Sequence, residues 1–150
     1  QGSTFTLRLP VLDQAPAVAP AHHAPAMAPR RHGAAILLVD DNAESIEMMR
    51  QLLAGAGYTV HAAANGHEAL AMARLHRPAA IMLDIGMPHI DGYTVARTLR
   101  SLPEFRATRL IAHTGFGAPA DRRKSSEAGF DFHLVKPATL EDLERVLAFP

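Results

Sequence analysis

The stretch Ala35-Ile36-Leu37-Leu38-Val39-Asp40-Asp41-Asn42 decides the fold. Five apolar residues run together and stop at two acids. Successive side chains of a strand point to opposite faces, so a strand with one wet face alternates apolar and polar residues. A strand that is apolar throughout is covered on both faces, as in a parallel sheet packed between helices. The same layout recurs downstream. Ala79-Ala80-Ile81-Met82-Leu83 ends at Asp84, Leu110-Ile111-Ala112-His113 ends at Thr114, and Phe132-His133-Leu134-Val135 ends at Lys136-Pro137. Tyr58-Thr59-Val60-His61-Ala62 supplies the remaining strand.

The segments between these runs have helical spacing. Ile46, Met49 and Leu53 share one face of a helix that ends near Gly55 and Gly57. Asn65 with Glu68 forms a capping-box pattern ahead of Ala69, Leu70 and Ala73, and Pro78 closes that segment. The loop Gly86-Met87-Pro88-His89-Ile90-Asp91-Gly92 leads into a helix with Val95 and Leu99 that stops before Pro103. A polar helix spans about Pro119 to Ala128, with Gly129 as its C-cap. Thr139 and Asp142 form a second capping box, for a last helix carrying Leu140, Leu143, Val146 and Leu147. Five strands alternating with five helices predict a doubly wound α/β fold on a five-stranded parallel sheet.

Composition narrows the function. The chain has 150 residues, and its Lys+Arg and Asp+Glu counts are equal at 15 each. A zero formal charge gives no electrostatic case for nucleic acid or an anionic membrane surface. The absence of Cys removes a disulfide framework, a thiol nucleophile and a cysteine zinc site. No apolar run approaches a membrane span, and no basic-then-apolar secretory leader opens the chain.

The charge is unevenly spread. Residues 11–33 are mostly Ala, Pro and His, with only Asp13, Arg30 and Arg31 charged. Such a segment buries too little apolar surface to offset its ordering entropy, so it reads as a flexible linker. Ahead of it, Phe5, Leu7 and Leu9 alternate with Thr4, Thr6 and Arg8, as in one strand with one apolar face. A lone strand needs partners, so residues 1–10 read as the edge of another domain. Residues 34–150 form the compact domain.

In open α/β sheets, ligands bind outside the carboxyl ends of the strands. Those ends here are Asp40-Asp41, Asp84, Thr114 and Lys136. Three carboxylates gathered at one edge repel one another and call for a cation. Oxygen donors without imidazole or thiolate suit a hard ion such as Mg2+. A metal, a Lys, a Thr hydroxyl and an accessible Asp together meet the needs of phosphoryl transfer, where charge on three oxygens must be neutralised.

These residues carry a family resemblance. Ile36 to Asn42, Met82-Leu83-Asp84-Ile85-Gly86-Met87-Pro88 through Asp91-Gly92-Tyr93, His113-Thr114-Gly115 and Leu134-Val135-Lys136-Pro137 resemble the motifs of the response-regulator receiver domain. The resemblance covers essentially all of 34–150 and implies the flavodoxin-like (βα)5 arrangement. It implies that Asp84 accepts a phosphoryl group from the phosphohistidine of a kinase dimerisation domain or a phosphotransfer protein. Asp41 and Asp84 would bind Mg2+ directly, with the Gly86 carbonyl as a third ligand and Asp40 acting partly through water. Lys136 would pair with phosphoryl oxygens, Thr114 would hydrogen-bond one of them, and the Lys136–Pro137 peptide would be cis. Residues 1–10 resemble the last strand of the ATP-binding domain of sensor histidine kinases. Together with the linker and receiver, they look like the C-terminal end of a hybrid histidine kinase. The implied location is the cytoplasm, whether or not the parent kinase is membrane-anchored.

One position departs from the family pattern. His133 stands three residues before Lys136, where receivers commonly carry Tyr or Phe as a rotameric switch. Either His133 takes that role or it is a tolerated exposed residue. Strand alternation points the neighbouring Phe132 to the other face. The remaining histidines, His22-His23 and His32 among them, read as scattered surface groups, since a flexible linker gives a metal no geometry. Arg122-Arg123-Lys124 reads as a solvated helix face. Two other classes compete with a phosphorelay receiver. A degenerate receiver acting only as a binding module conflicts with the intact acid, Thr and Lys set. A free-standing flavodoxin-like or haloacid-type enzyme lacks both an Asp-x-Asp-x-Thr nucleophile strand and a Gly-rich phosphate loop.

Overall fold

The computed structural model describes residues 33–88, 90–115 and 119–148. The strand expected at 1–10, nearly all of the linker expected at 11–33, and His89 lie outside the described residues. Five strands form one parallel sheet: β1 Ala35–Val39, β2 Thr59–Ala63, β3 Ala80–Asp84, β4 Arg109–Thr114 and β5 Phe132–Val135. Five helices alternate with them: α1 Ala43–Gly55, α2 Gly66–His76, α3 Gly92–Ser101, α4 Pro119–Glu127 and α5 Leu140–Leu147. The strand order is β2-β1-β3-β4-β5. The chain therefore moves outward from β1 in one direction and then returns across it, which leaves a crevice between the ends of β1 and β3.

The apolar runs behave as their lack of alternation requires. Leu37, Val39, Ile81, Leu83, Leu110 and Ala112 face one side, against Ala69 and Ala73 of α2 and Val95, Ala96 and Leu99 of α3. Ile36, Leu38, Met82 and Ile111 face the other, against Met49 and Leu53 of α1 and Leu143, Val146 and Leu147 of α5. Burying both faces of the central strands supplies the main driving force for the fold.

Local signals fix the boundaries. Asn42 caps α1 by accepting the N–H groups of Glu44 and Ser45. Thr139 and Asp142 make the full reciprocal box at α5. At α2 only half of the expected box forms. Asn65 accepts the Glu68 N–H, but the Glu68 carboxylate takes the Ala64 N–H instead of that of Asn65. Two strands sit one residue later than the sequence suggests. Tyr58 belongs to the turn, where its N–H bonds the Leu53 carbonyl, so β2 starts at Thr59. Ala79 donates to Ala35 ahead of β3, and β3 extends to include Asp84. A short 3-10 turn at Pro103–Phe105 buries Phe105 and was not anticipated.

Candidate functional site

The acids, the lysine and the threonine gather at the carboxyl edge of the sheet. Asp40 follows β1 and is 5% exposed, Asp84 closes β3 at 8%, and Thr114 closes β4 at 2%. Asp41 is exposed beside them. One carboxylate oxygen from each of Asp40, Asp41 and Asp84 lies within 4.8 Å of the others. Neither Asp40 nor Asp41 serves as the α1 cap, because Asn42 does.

Lys136, immediately after β5, reaches across the sheet edge. Its Nζ donates to Asp40 Oδ2 at 2.7 Å and lies 3.2 Å from Asp84 Oδ2. Burial pushes the ammonium toward its neutral form, but the hydrogen bond to Asp40 and the charges of both acids outweigh it. The net effect holds Lys136 above its ordinary pKa, firmly protonated. The other oxygens of the two acids are held by backbone: Asp40 Oδ1 accepts the Asn42 N–H at 2.9 Å, and Asp84 Oδ1 accepts the Gly86 N–H at 3.1 Å. The Lys136–Pro137 peptide is cis. The Lys136 N–H bonds the Thr114 carbonyl at 2.8 Å, which joins the ends of β4 and β5.

One cationic side chain among three carboxylates leaves an excess of negative charge in a partly dry crevice. The donor set is all oxygen, closely spaced and preformed, and it fits a hard divalent cation. The loop that carries Gly86 is held close by Gly92, the first residue of α3. A Cβ there would collide with the Asp84 carbonyl oxygen and come within 2.9 Å of the Ile85 Cα.

Two histidines stand in environments that the sequence left open or misread. His133 is the first. It is half-buried on β5, and its Nδ1 lies 2.9 Å from the Oγ of Ser125 on α4. It is therefore an engaged side chain and not a merely tolerated exposed one. His113 is not a surface group either. It is 8% exposed and lines a small cavity together with Leu38, Asp40, Ser45, Ile46, Met49 and Met82. Burial, with Lys136 adding to it and the two acids opposing, lowers its pKa to about 4, so it is neutral at ordinary pH. Its Nε2 has no hydrogen-bond partner among the described residues. The burial of His113 was legible, since it closes the apolar run 110–113; its place beside the acids was not. Ser125 gave no signal in a polar helix.

Residues 36–148 match the response regulator receiver domain family. The chain belongs to that family and is a receiver domain of two-component signalling. It is 32% identical over 105 residues to the polar-differentiation response regulator DivK of Brucella anthropi, covering 70% of this chain and 85% of that protein. Among solved structures it resembles the chemotaxis protein CheY4 of Vibrio cholerae, with a TM-score of 0.73, 32% identity, and coverage of 77% of this chain and 96% of that one. It also resembles the receiver domain of the sensor histidine kinase PA1611 from Pseudomonas aeruginosa, with a TM-score of 0.71, 34% identity, and coverage of 77% and 94%. That structure has a magnesium ion coordinated in its active-site cleft.

Proposed function

We propose that this receiver accepts a phosphoryl group on Asp84 from a phosphohistidine, with Mg2+ held in the acidic crevice. The observation that carries the reading is the placement of Asp84: a nearly buried carboxylate, beside two further acids, with the Lys136 ammonium 3.2 Å away. An Asp84 oxygen would attack phosphorus as the nitrogen–phosphorus bond of the donor breaks, and the departing imidazole would take up a proton from solvent. Asp41, Asp84 and the Gly86 carbonyl would hold the ion, with Asp40 contributing partly through water. When bound, the ion would offset charge on the phosphoryl oxygens. Lys136 would supply a compact positive charge to the same oxygens, a role that suits an ammonium better than a forked guanidinium. The Thr114 hydroxyl would donate to one of them. The Gly86 N–H orients Asp84 before the donor arrives.

The sequence of residues 1–10, which resembles the last strand of a histidine-kinase ATP-binding domain, and the Ala- and Pro-rich stretch 11–33 support a place within a hybrid histidine kinase, in the cytoplasm, for the domain at 34–150. The PA1611 neighbour, the receiver of a sensor kinase, agrees with that placement.

Incubation with acetyl phosphate and Mg2+, read by intact-protein mass spectrometry, tests the central step. The wild type should gain one phosphoryl group and Asp84→Asn none. A gain that survives Asp84→Asn would move the acceptor elsewhere. No gain on the wild type would instead favour a receiver that acts only as a protein-binding module.

A further inference from the structure

Phosphoryl transfer at Asp84 makes no use of the buried imidazole of His113. His113 stands opposite Asp84 on the ladder between β3 and β4, one residue before Thr114. Strand side chains alternate faces, so it shares with Ile111 the face covered by α1 and α5. There it lines a cavity with apolar Leu38, Met49 and Met82 and polar Asp40 and Ser45. Its Nε2 is buried and has no hydrogen-bond partner among the described residues. Where no protein group reaches such an atom in a stable fold, a buried water meets it.

The cavity suits one water. Its volume is about 10 Å³, close to the least that a water needs, and three polar residues share its wall. A neutral imidazole nitrogen either donates or accepts, and a water can do the opposite in each case. Either way the water keeps an O–H for the carboxylate of Asp40. Asp40, nearly buried, already accepts the Asn42 N–H on Oδ1 and the Lys136 ammonium on Oδ2. A carboxylate has about four acceptor sites, so capacity remains. We propose that a single buried water joins His113 Nε2 to the Asp40 carboxylate, and that His113 is thereby a positioning residue for an acid of the metal site. The metal half of this rests on the Mg2+ reading given above; the water site does not. A donor that holds a carboxylate from behind fixes its direction, and so its contribution to metal affinity. When Lys136 turns to phosphoryl oxygens, the water stays as a donor to Asp40.

Cross-relaxation between water and the imidazole, measured by NMR on the intact Mg2+-free chain, tests the site. The Hε1 and Hδ2 protons of His113 flank Nε2, and both should show a cross-peak with the sign of a long-lived water. Absence of that cross-peak at both protons would overturn the proposal. Calorimetric titration with Mg2+ alone tests the positioning. His113→Leu, which removes the nitrogen and keeps an apolar filling, should weaken Mg2+ binding about tenfold. His113→Gln, which returns a polar group near the Nε2 position, should recover most of that loss. Met49→Leu, at the apolar wall of the same cavity, should bind Mg2+ as the wild type does, whatever its effect on stability. Unchanged affinity in His113→Leu, no recovery in His113→Gln, or an equal loss in Met49→Leu would overturn the positioning role. If the wild type binds no Mg2+, the metal reading fails and the positioning role with it, while the cross-peak still decides the water site.

Discussion

His113 shows how a single side chain acquires an environment that its type does not announce. It shares a small cavity with Leu38, Met49 and Met82, and burial holds it neutral, with its pKa lowered to about 4. The unfolded chain, with an ordinary imidazole, takes up a proton below about pH 6.5, whereas the folded domain does so only near pH 4. Between those values the unfolded state binds more protons, so stability falls as pH falls, by up to ~3 kcal/mol from this residue. Urea unfolding at pH 7 and pH 5 in Mg2+-free buffer should show about 2 kcal/mol of that loss, and His113→Leu should remove most of this contribution. An equal pH dependence in the variant would assign it to other groups. The acids of the site were legible as types and positions, because each ends a strand. Their pairing with Lys136 was not, since Asp40 and Lys136 are 96 residues apart in sequence.

Elements were read well where one local device sets them. The Thr139–Asp142 box and the Gly129 turn, with its φ of +95°, need only neighbouring residues. They were read less well where a distant residue intervenes. Arg100, at the end of α3, donates from Nε to the Gly129 carbonyl at 2.8 Å, and from Nη1 to the Phe105 and Thr108 carbonyls at 3.1 and 2.8 Å. Its Nη2 pairs with Asp131 at 2.6 Å, and the same Asp131 oxygen accepts the Leu110 N–H that opens β4. One guanidinium thus ties α3, the 3-10 turn, β4 and the α4–β5 turn. Arg100→Ala strands several carbonyls and should destabilise the domain by ~2–3 kcal/mol in urea unfolding. Arg100→Lys should recover little, because a single ammonium cannot match the fork. A loss below about 0.5 kcal/mol in Arg100→Ala would show that water replaces these bonds at no cost.

At the scale of the whole molecule, charge is neutral in sum and concentrated in place. Three carboxylates share the crevice with one ammonium, so the metal-free fold carries repulsion that a divalent cation relieves. Mg2+ at tenfold its Kd should raise the unfolding free energy by about 1.4 kcal/mol. Asp41→Asn should raise the metal-free thermal midpoint and shrink the Mg2+ response; a full response in that variant would place the ion elsewhere. Among the described residues, no helix is long and apolar enough to cross a membrane. The sequence by itself determined the alternation of strands and helices, the two-sided burial of the sheet and the identity of the strand-end residues. These depend on patterns a few residues long, which periodicity and capping chemistry express directly. Only the tertiary structure decided that Lys136 bridges Asp40 and Asp84, that His113 is buried neutral beside them, and that His133 turns to Ser125. The strand order brings those pairs together, and contacts between residues far apart in sequence leave no local pattern to read.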